Sequence, residues 1–183
     1  MEELINIKEV HRLFNVTIWD NCALNGYLPE NKGKSVDDAS EFAEFFINKI
    51  PLYPCFIPEL VKNEYIFGMN PNSIKNTKKG KLIQKFQSED RILSIEDLPL
   101  GQKVKEVDCY CKRLKEKYGI DKTDLSGCSW TFELSNFFDS AAMISNDVKG
   151  IAKFWKELVR NNKINPRKIG FFPRRGLDLY EMF

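Results

Sequence analysis

Histidine is nearly absent from this chain, with one residue, His11, among 183. Catalytic triads that set a histidine beside a nucleophile therefore have one candidate base and no second. His11 follows Val10 in a terminal segment, where a solvated or packed side chain is the simpler reading. The five cysteines (Cys22, Cys55, Cys109, Cys111 and Cys128) are scattered, odd in number and contain no CxxC pair. Cys109-x-Cys111 lacks the second pair or the histidines that a zinc site requires. Apolar runs long enough to span a bilayer are missing, and Glu2, Glu3 and Lys8 interrupt any secretory-signal pattern, so the expectation is a cytoplasmic protein. Charge of one sign is missing too: 28 Lys and Arg against 26 Asp and Glu leave a formal +2. Attraction to phosphate must then come from local patches. Repeats and low-complexity tracts are also absent. At 43% hydrophobic, the chain is long enough for one cored domain and too short for two comfortable ones.

What is present is a pair of apolar, strand-like runs that each end on an aspartate. Phe14 to Trp19 runs into Asp20, and Ala141 to Asn146 runs into Asp147. In an open α/β sheet the strand C-termini line the crevice where ligands bind. Carboxylates gathered there repel one another unless a cation joins them, and a hard divalent metal with oxygen ligands is the natural partner.

The rest of the chain reads as alternating strands and helices. After a turn or short helix from Asn21, closed by Gly26 or Pro29, Ser35 and Asp38 can cap a helix to about Lys49 whose apolar stripe is Phe42, Phe45, Phe46 and Ile50. Tyr53 to Ile57 is a short strand, and Pro58 suits the first turn of a helix from Glu59 to Phe67 that Gly68 stops. Residues 70–119 read as a lysine-rich helical insertion, including a helix from about Gly101 to Tyr118 ended by Gly119. Asp124 can cap a helix from Leu125 to Phe137, and Asp139 precedes the second aspartate-ended strand. A helix from about Val148 to Arg160 buries Ile151, Phe154, Trp155 and Leu158, and Lys168 to Phe172 is a final strand. This alternation implies a mostly parallel sheet with helices on its faces.

Several acids fall near strand C-termini: Asp20, Glu59 or Glu64, Asp124, Asp139 and Asp147. Glu64 lies within two turns of its helix start, so its carboxylate can lean toward the end of the sheet that carries Asp20. Glu59 instead suits the helix dipole. Three or four such oxygens can hold Mg²⁺ or Mn²⁺, which acidifies a bound water and neutralises charge developing on a scissile phosphate. That chemistry needs no histidine.

Four segments in order resemble the PIN domains, metal-dependent nucleases that act as ribonuclease toxins or in RNA processing. Ile18-Trp19-Asp20-Asn21-Cys22-Ala23-Leu24 resembles the family's opening strand and acid, and Asn63 to Gly68 resembles its glutamate segment. Asp124 stands where a third acid opens a helix, and Ile144-Ser145-Asn146-Asp147 is similar to the strand-terminal Ser/Thr-x-Asp. The resemblance implies a three-layer α/β/α sandwich and a metal-dependent endoribonuclease. In it Asp20, Glu64 and Asp147 bind the metal, and Asp124 completes the catalytic set, with Asp121 and Asp139 as rivals for the third place. Lys75, Lys78, Lys79, Lys81, Arg174 and Arg175 would then contact RNA phosphates, and an antitoxin-like protein or a second copy could be a partner. A non-catalytic RNA- or protein-binding module of the same fold is the competing expectation. Gly33-Lys34-Ser35 hints at a phosphate-binding P-loop, but Leu28 stands where its leading glycine belongs.

Overall fold

Short apolar runs build the sheet. β1 (Val16–Trp19), β2 (Cys55–Pro58), β3 (Ile92–Leu93), β4 (Ala141–Ile144) and β5 (Ile169–Phe172) form one five-stranded sheet in the order β3-β2-β1-β4-β5. Every pairing is parallel. Each residue of β1 and β4 is buried, as expected of parallel strands covered on both faces, whose sequences run apolar rather than alternating. The computed structural model describes residues 7–25, 43–44, 46–94, 117–145, 147, 150–161, 165 and 167–172.

Seven helices lie among these residues: α1 (Ile7–Leu13), α2 (Asn21–Leu24), α3 (Glu59–Tyr65), α4 (Pro71–Asn76), α5 (Lys78–Ser88), α6 (Lys122–Phe137) and α7 (Ile151–Arg160). Residues 43–44 and 46–47 are also helical. The strand register places Ile18 beside Met143 and Met143 beside Phe171, on one face of the sheet. There α6 packs Trp130 and Leu134 against Val16, Ile18 and Ala141, and α7 lays Trp155 near Phe171 with ring centroids 6.1 Å apart. On the opposite face Trp19 meets Phe46 at 4.3 Å, and Phe46 meets Phe86 of α5 at 5.7 Å. The result is the three-layer α/β/α sandwich.

The strand order explains why the helices divide in this way. From β1 the chain steps outward to β2 and β3, then returns across the sheet to β4 and β5 on the other side of β1. Right-handed crossovers in opposite directions put their helices on opposite faces. The reversal leaves a crevice between the C-terminal ends of β1 and β4, the topological switch point where ligands bind in open α/β sheets.

Several expectations shift by a few residues or more. β3 was not anticipated, because two half-buried residues give too short an apolar signal; residues 70–93 therefore supply an edge strand as well as α4 and α5. α3 starts at Glu59 as expected, with Pro58 as its N-cap and as the last residue of β2, and it ends at Tyr65 rather than Phe67. α6 starts at Lys122, with Asp121 as its N-cap and Asp124 one turn inside. Gly119, at φ +68°, follows helical Lys117 and Tyr118 as expected of a helix stop. Ser35, Asp38, Phe42, Phe45, the Gly33-Lys34-Ser35 segment, Cys109, Cys111 and most of the Gly101–Tyr118 helix lie outside the described residues. Among those described, no helix is long and apolar enough to cross a membrane.

Candidate functional site

β1 ends at Trp19, and the next residue, Asp20, becomes the N-cap of α2. Its backbone N–H donates to the Ile144 carbonyl across the switch point at 3.0 Å, which ties the ends of β1 and β4 together. Asp20 is 5% exposed. Oδ1 accepts from the Asn21 N–H at 2.7 Å, and Oδ2 accepts from Ser145 Oγ at 2.7 Å and from Cys22 Sγ at 2.9 Å. Burial raises the pKa of this carboxyl, its three hydrogen-bond donors oppose the rise, and the nearby charge of Asp147 adds to it.

Asp147 arrives from the end of β4. Its N–H donates to Ser145 Oγ at 3.1 Å, and its carboxylate accepts from the N–H groups of Gly150 and Ile151 at 2.8 and 3.2 Å, at the start of α7. The side chain thus serves as a helix cap and as a charge facing the crevice.

Asp124 arrives from α6. Asp121 Oδ1 accepts from the N–H groups of Thr123 and Asp124, while Asp124 Oδ2 accepts from the Asp121 N–H at 3.0 Å. This reciprocal capping box satisfies the orphan donors of the first turn. It also corrects the expectation that Asp124 is the cap itself. Among the described residues, Asp124 Oδ1 has no hydrogen-bond partner. Burial raises the Asp124 pKa to about 7, with the charges of Asp121, Asp20 and Asp147 pushing the same way. Of the rivals, Asp121 is committed to capping, and Asp139 is exposed and precedes β4, at the opposite end of that strand from Asp147. The structure therefore brings Asp20, Asp124 and Asp147 within electrostatic reach of one another, from three elements.

Glu64 borders this cluster through its neighbours. It projects from the last turn of α3, where Oε1 accepts from Thr123 Oγ1 at 2.6 Å and Oε2 accepts from Asn21 Nδ2 at 3.2 Å. Thr123 precedes Asp124, and Asn21 follows Asp20. The bonds continue outward: Asn25 Nδ2 donates to Asn21 Oδ1 at 2.7 Å, and Lys79 Nζ donates to Asn25 Oδ1 at 2.7 Å. A lysine only donates and a carboxylate only accepts, so the two ends of this chain fix the orientation of both amides.

The lysines expected to contact RNA divide accordingly. Lys75 and Lys81 are exposed, and Lys78 pairs with Glu44 at 2.7 Å. Lys79 is half-buried, with its ammonium 4.2 Å from the centre of the Tyr65 ring, and desolvation lowers its pKa. It faces into the relay rather than outward. Arg174 and Arg175 lie outside the described residues. Glu59 sits in the first turn of α3, as its helix-dipole reading requires, and accepts from Ser94 Oγ at 3.3 Å.

Asn25 and Thr123 carry no signal of their own in the sequence, Asn21 and Ser145 stand in the motif segments without an assigned role, and Lys79 is expected there at RNA phosphates rather than in this relay. Adjacency to Asp20 and Asp124 could have drawn attention to Asn21 and Thr123. Nothing distinguishes Lys79 from the other lysines of its run.

The donor set of Asp20, Asp124, Asp147 and Ser145 is all oxygen, which suits a hard divalent cation. Among the described residues, no group of three or more His, Cys, Asp or Glu side chains is placed to hold a metal ion. No family model, curated protein or solved structure matches this chain.

Proposed function

We propose that this chain is a divalent-metal-dependent endoribonuclease of the PIN-like kind, with Mg²⁺ or Mn²⁺ as its cofactor. The observation that carries the reading is the meeting of Asp20, Asp124 and Asp147 at the switch point, with the pKa values of Asp20 and Asp124 both raised. Stacking acids where their charge is penalised costs stability, and such clusters concentrate at functional sites. A cation held there would acidify a water and offset charge on the phosphate. Asp20 and Asp147 hold positions across the crevice, and Asp124 offers its uncommitted Oδ1 to orient a water. Glu64, fixed by Asn21 and Thr123, forms the fourth wall of the cluster. Exposed Lys75 and Lys81 are available to backbone phosphates.

The test is cleavage of a labelled single-stranded RNA with Mn²⁺ or Mg²⁺. The wild type is expected to cut and to stop on addition of a chelator, and Asp20→Asn to lose at least about 100-fold in rate, the scale of losing a principal electrostatic contact. Chelator-insensitive cutting, or equal rates for the two proteins, would overturn the reading.

One observation favours the competing binding module: both oxygens of Asp147 already accept backbone hydrogen bonds, and Asp20 is satisfied by three protein donors. On that reading the acids only cap and tie the strand ends. RNA binding with no metal-dependent cleavage would select it.

A further inference from the structure

Beside Glu64, on the outer side of the acidic crevice, lies an open cavity of about 430 Å³ lined by Asn21, Leu60, Asn63, Glu64, Phe67 and Thr123. Its most unusual wall is Phe67, a residue 89% exposed. The ring stands on a fixed base: the Phe67 N–H donates to the Glu64 carbonyl at 3.1 Å, the Met69 N–H donates to the Ile66 carbonyl at 3.0 Å, and Gly68 at φ +77° turns the chain away. Among the described residues, Phe67 makes no ring contact with another aromatic or cation. Among the described residues, Asn63 has no side-chain hydrogen-bond partner, so its amide keeps both donors and its acceptor there. Each Glu64 oxygen accepts one bond and retains a lone pair.

We infer that this cavity is a subsite for one unpaired nucleobase of a single-stranded RNA, stacked on Phe67 and read at its edge by Asn63 and Glu64. The inference rests on the ribonuclease reading and adds to it the kind of substrate. The lining decides the ligand's chemistry. Among the described residues it holds no cation and one carboxylate, which repels a phosphate and welcomes an amino or imino N–H. An exposed aromatic face with a neighbouring apolar residue, Leu60, suits a flat, neutral ring, and every base has such a face. A base inside a duplex is stacked on its neighbours and has no free face to offer, whereas single strands present splayed bases. A protein partner would need some 800 Å² of its own surface for a stable contact, far more than this cavity supplies.

The experiment measures binding in the presence of a chelator, so that no strand is cut. The probe is a single-stranded oligoribonucleotide carrying one 2-aminopurine, compared with the same strand in a duplex. Because the Phe67 ring is exposed, Phe67→Ala should keep the wild-type melting temperature. It should bind the single strand about 5- to 150-fold more weakly, the range that one base–aromatic stack supports, and lose the change in 2-aminopurine fluorescence. Phe67→Trp should restore both. Duplex binding should be alike in all three proteins. Equal single-strand binding by wild type and Phe67→Ala, an equal loss on the duplex, or no binding of the probe by wild type would overturn the subsite. Phe67-dependent binding in a protein that never cleaves RNA would instead sink the nuclease reading and leave the subsite standing.

Discussion

Lys79 looks, in sequence, like one of several surface lysines, yet its environment makes it a positioning residue. Its half-buried ammonium has its pKa lowered by desolvation, and its charge is spent on Asn25 Oδ1 at 2.7 Å rather than on an acid. The amides of Asn25 and Asn21 relay that contact to Glu64 in one direction, from donor to acceptor at every step. Partners of this kind orient the groups that meet a metal, and their loss typically costs about 10- to 100-fold in affinity or activity. Lys79→Met should therefore lower RNA cleavage by about 10-fold and weaken its Mn²⁺ dependence, with partial recovery in Lys79→Arg. Its melting temperature should hardly change, because the lost hydrogen bond and the relieved desolvation oppose each other. Wild-type rates and metal dependence in Lys79→Met would refute the relay. A large fall in stability without any change in metal dependence would leave Lys79 a structural residue only.

At the scale of elements, the joint between α4 and α5 shows how a helix's ordinary preferences can be reversed. Alanine normally stabilises a helix over glycine by about 1 kcal/mol. At Gly80, in the first turn of α5, an added Cβ would fall 1.8 Å from the backbone oxygen of Ile74 in α4. Neither helix can yield without moving its main chain, and α5 anchors Leu82, Ile83 and Phe86 in the core. Gly80→Ala is expected to destabilise the protein by about 1–3 kcal/mol, as overpacking does, measured by the midpoint of urea unfolding. An unchanged or higher midpoint would show that the joint is looser than described. The start of α6 carries a related lesson. Asp121 and Asp124 are both good cap residues by type, and the sequence favoured Asp124. The helix instead begins at Lys122 because the pair fits the reciprocal cap, which leaves Asp124 Oδ1 for the crevice. Helices with strong apolar stripes were legible: Ile151, Phe154, Trp155 and Leu158 of α7 are all buried. β3 was not, since its two residues are only half-buried and gain their strand character from pairing with β2.

For the whole molecule, two titrating groups give stability opposite dependences on pH. His11 is packed with Nε2 3.2 Å from Thr17 Oγ1 and its ring stacked 5.0 Å from Tyr53. Burial lowers its pKa from 6.5 to about 4, against hydrogen bonds to the Asn15 and Phe14 backbone that raise it. Between those values the unfolded chain takes a proton that the folded chain refuses, so this contribution to stability is lost as pH falls through that window. Asp124 behaves in the reverse sense. Its folded pKa is raised from 3.8 to about 7, so the folded chain holds the extra proton and stability rises as pH falls from about 7 toward 3.8. In chelator-treated protein, unfolding curves across pH separate the two. His11→Gln should gain on wild type progressively as pH drops below 6.5. Asp124→Asn, which keeps an acceptor for the Asp121 N–H, should be the more stable protein above pH 7 and lose that advantage by pH 4. A difference from wild type that stays constant over the whole range would refute the account of that group.

The sequence by itself determined the strands that carry Asp20 and Asp147, the parallel α/β character and the approach of Glu64 on the following helix, because each of these depends on local apolar patterning and on which residue comes next. Only the tertiary structure decided that Asp124 rather than Asp121 or Asp139 joins the two strand-end acids, that Lys79 turns inward to Asn25, and that Phe67 stands bare beside Glu64. Those outcomes depend on the reversal of strand order about β1, which brings residues more than a hundred positions apart into one crevice. Burial and hydrogen bonding there then set the charge and direction of each side chain, and neither can be read from its neighbours in the chain.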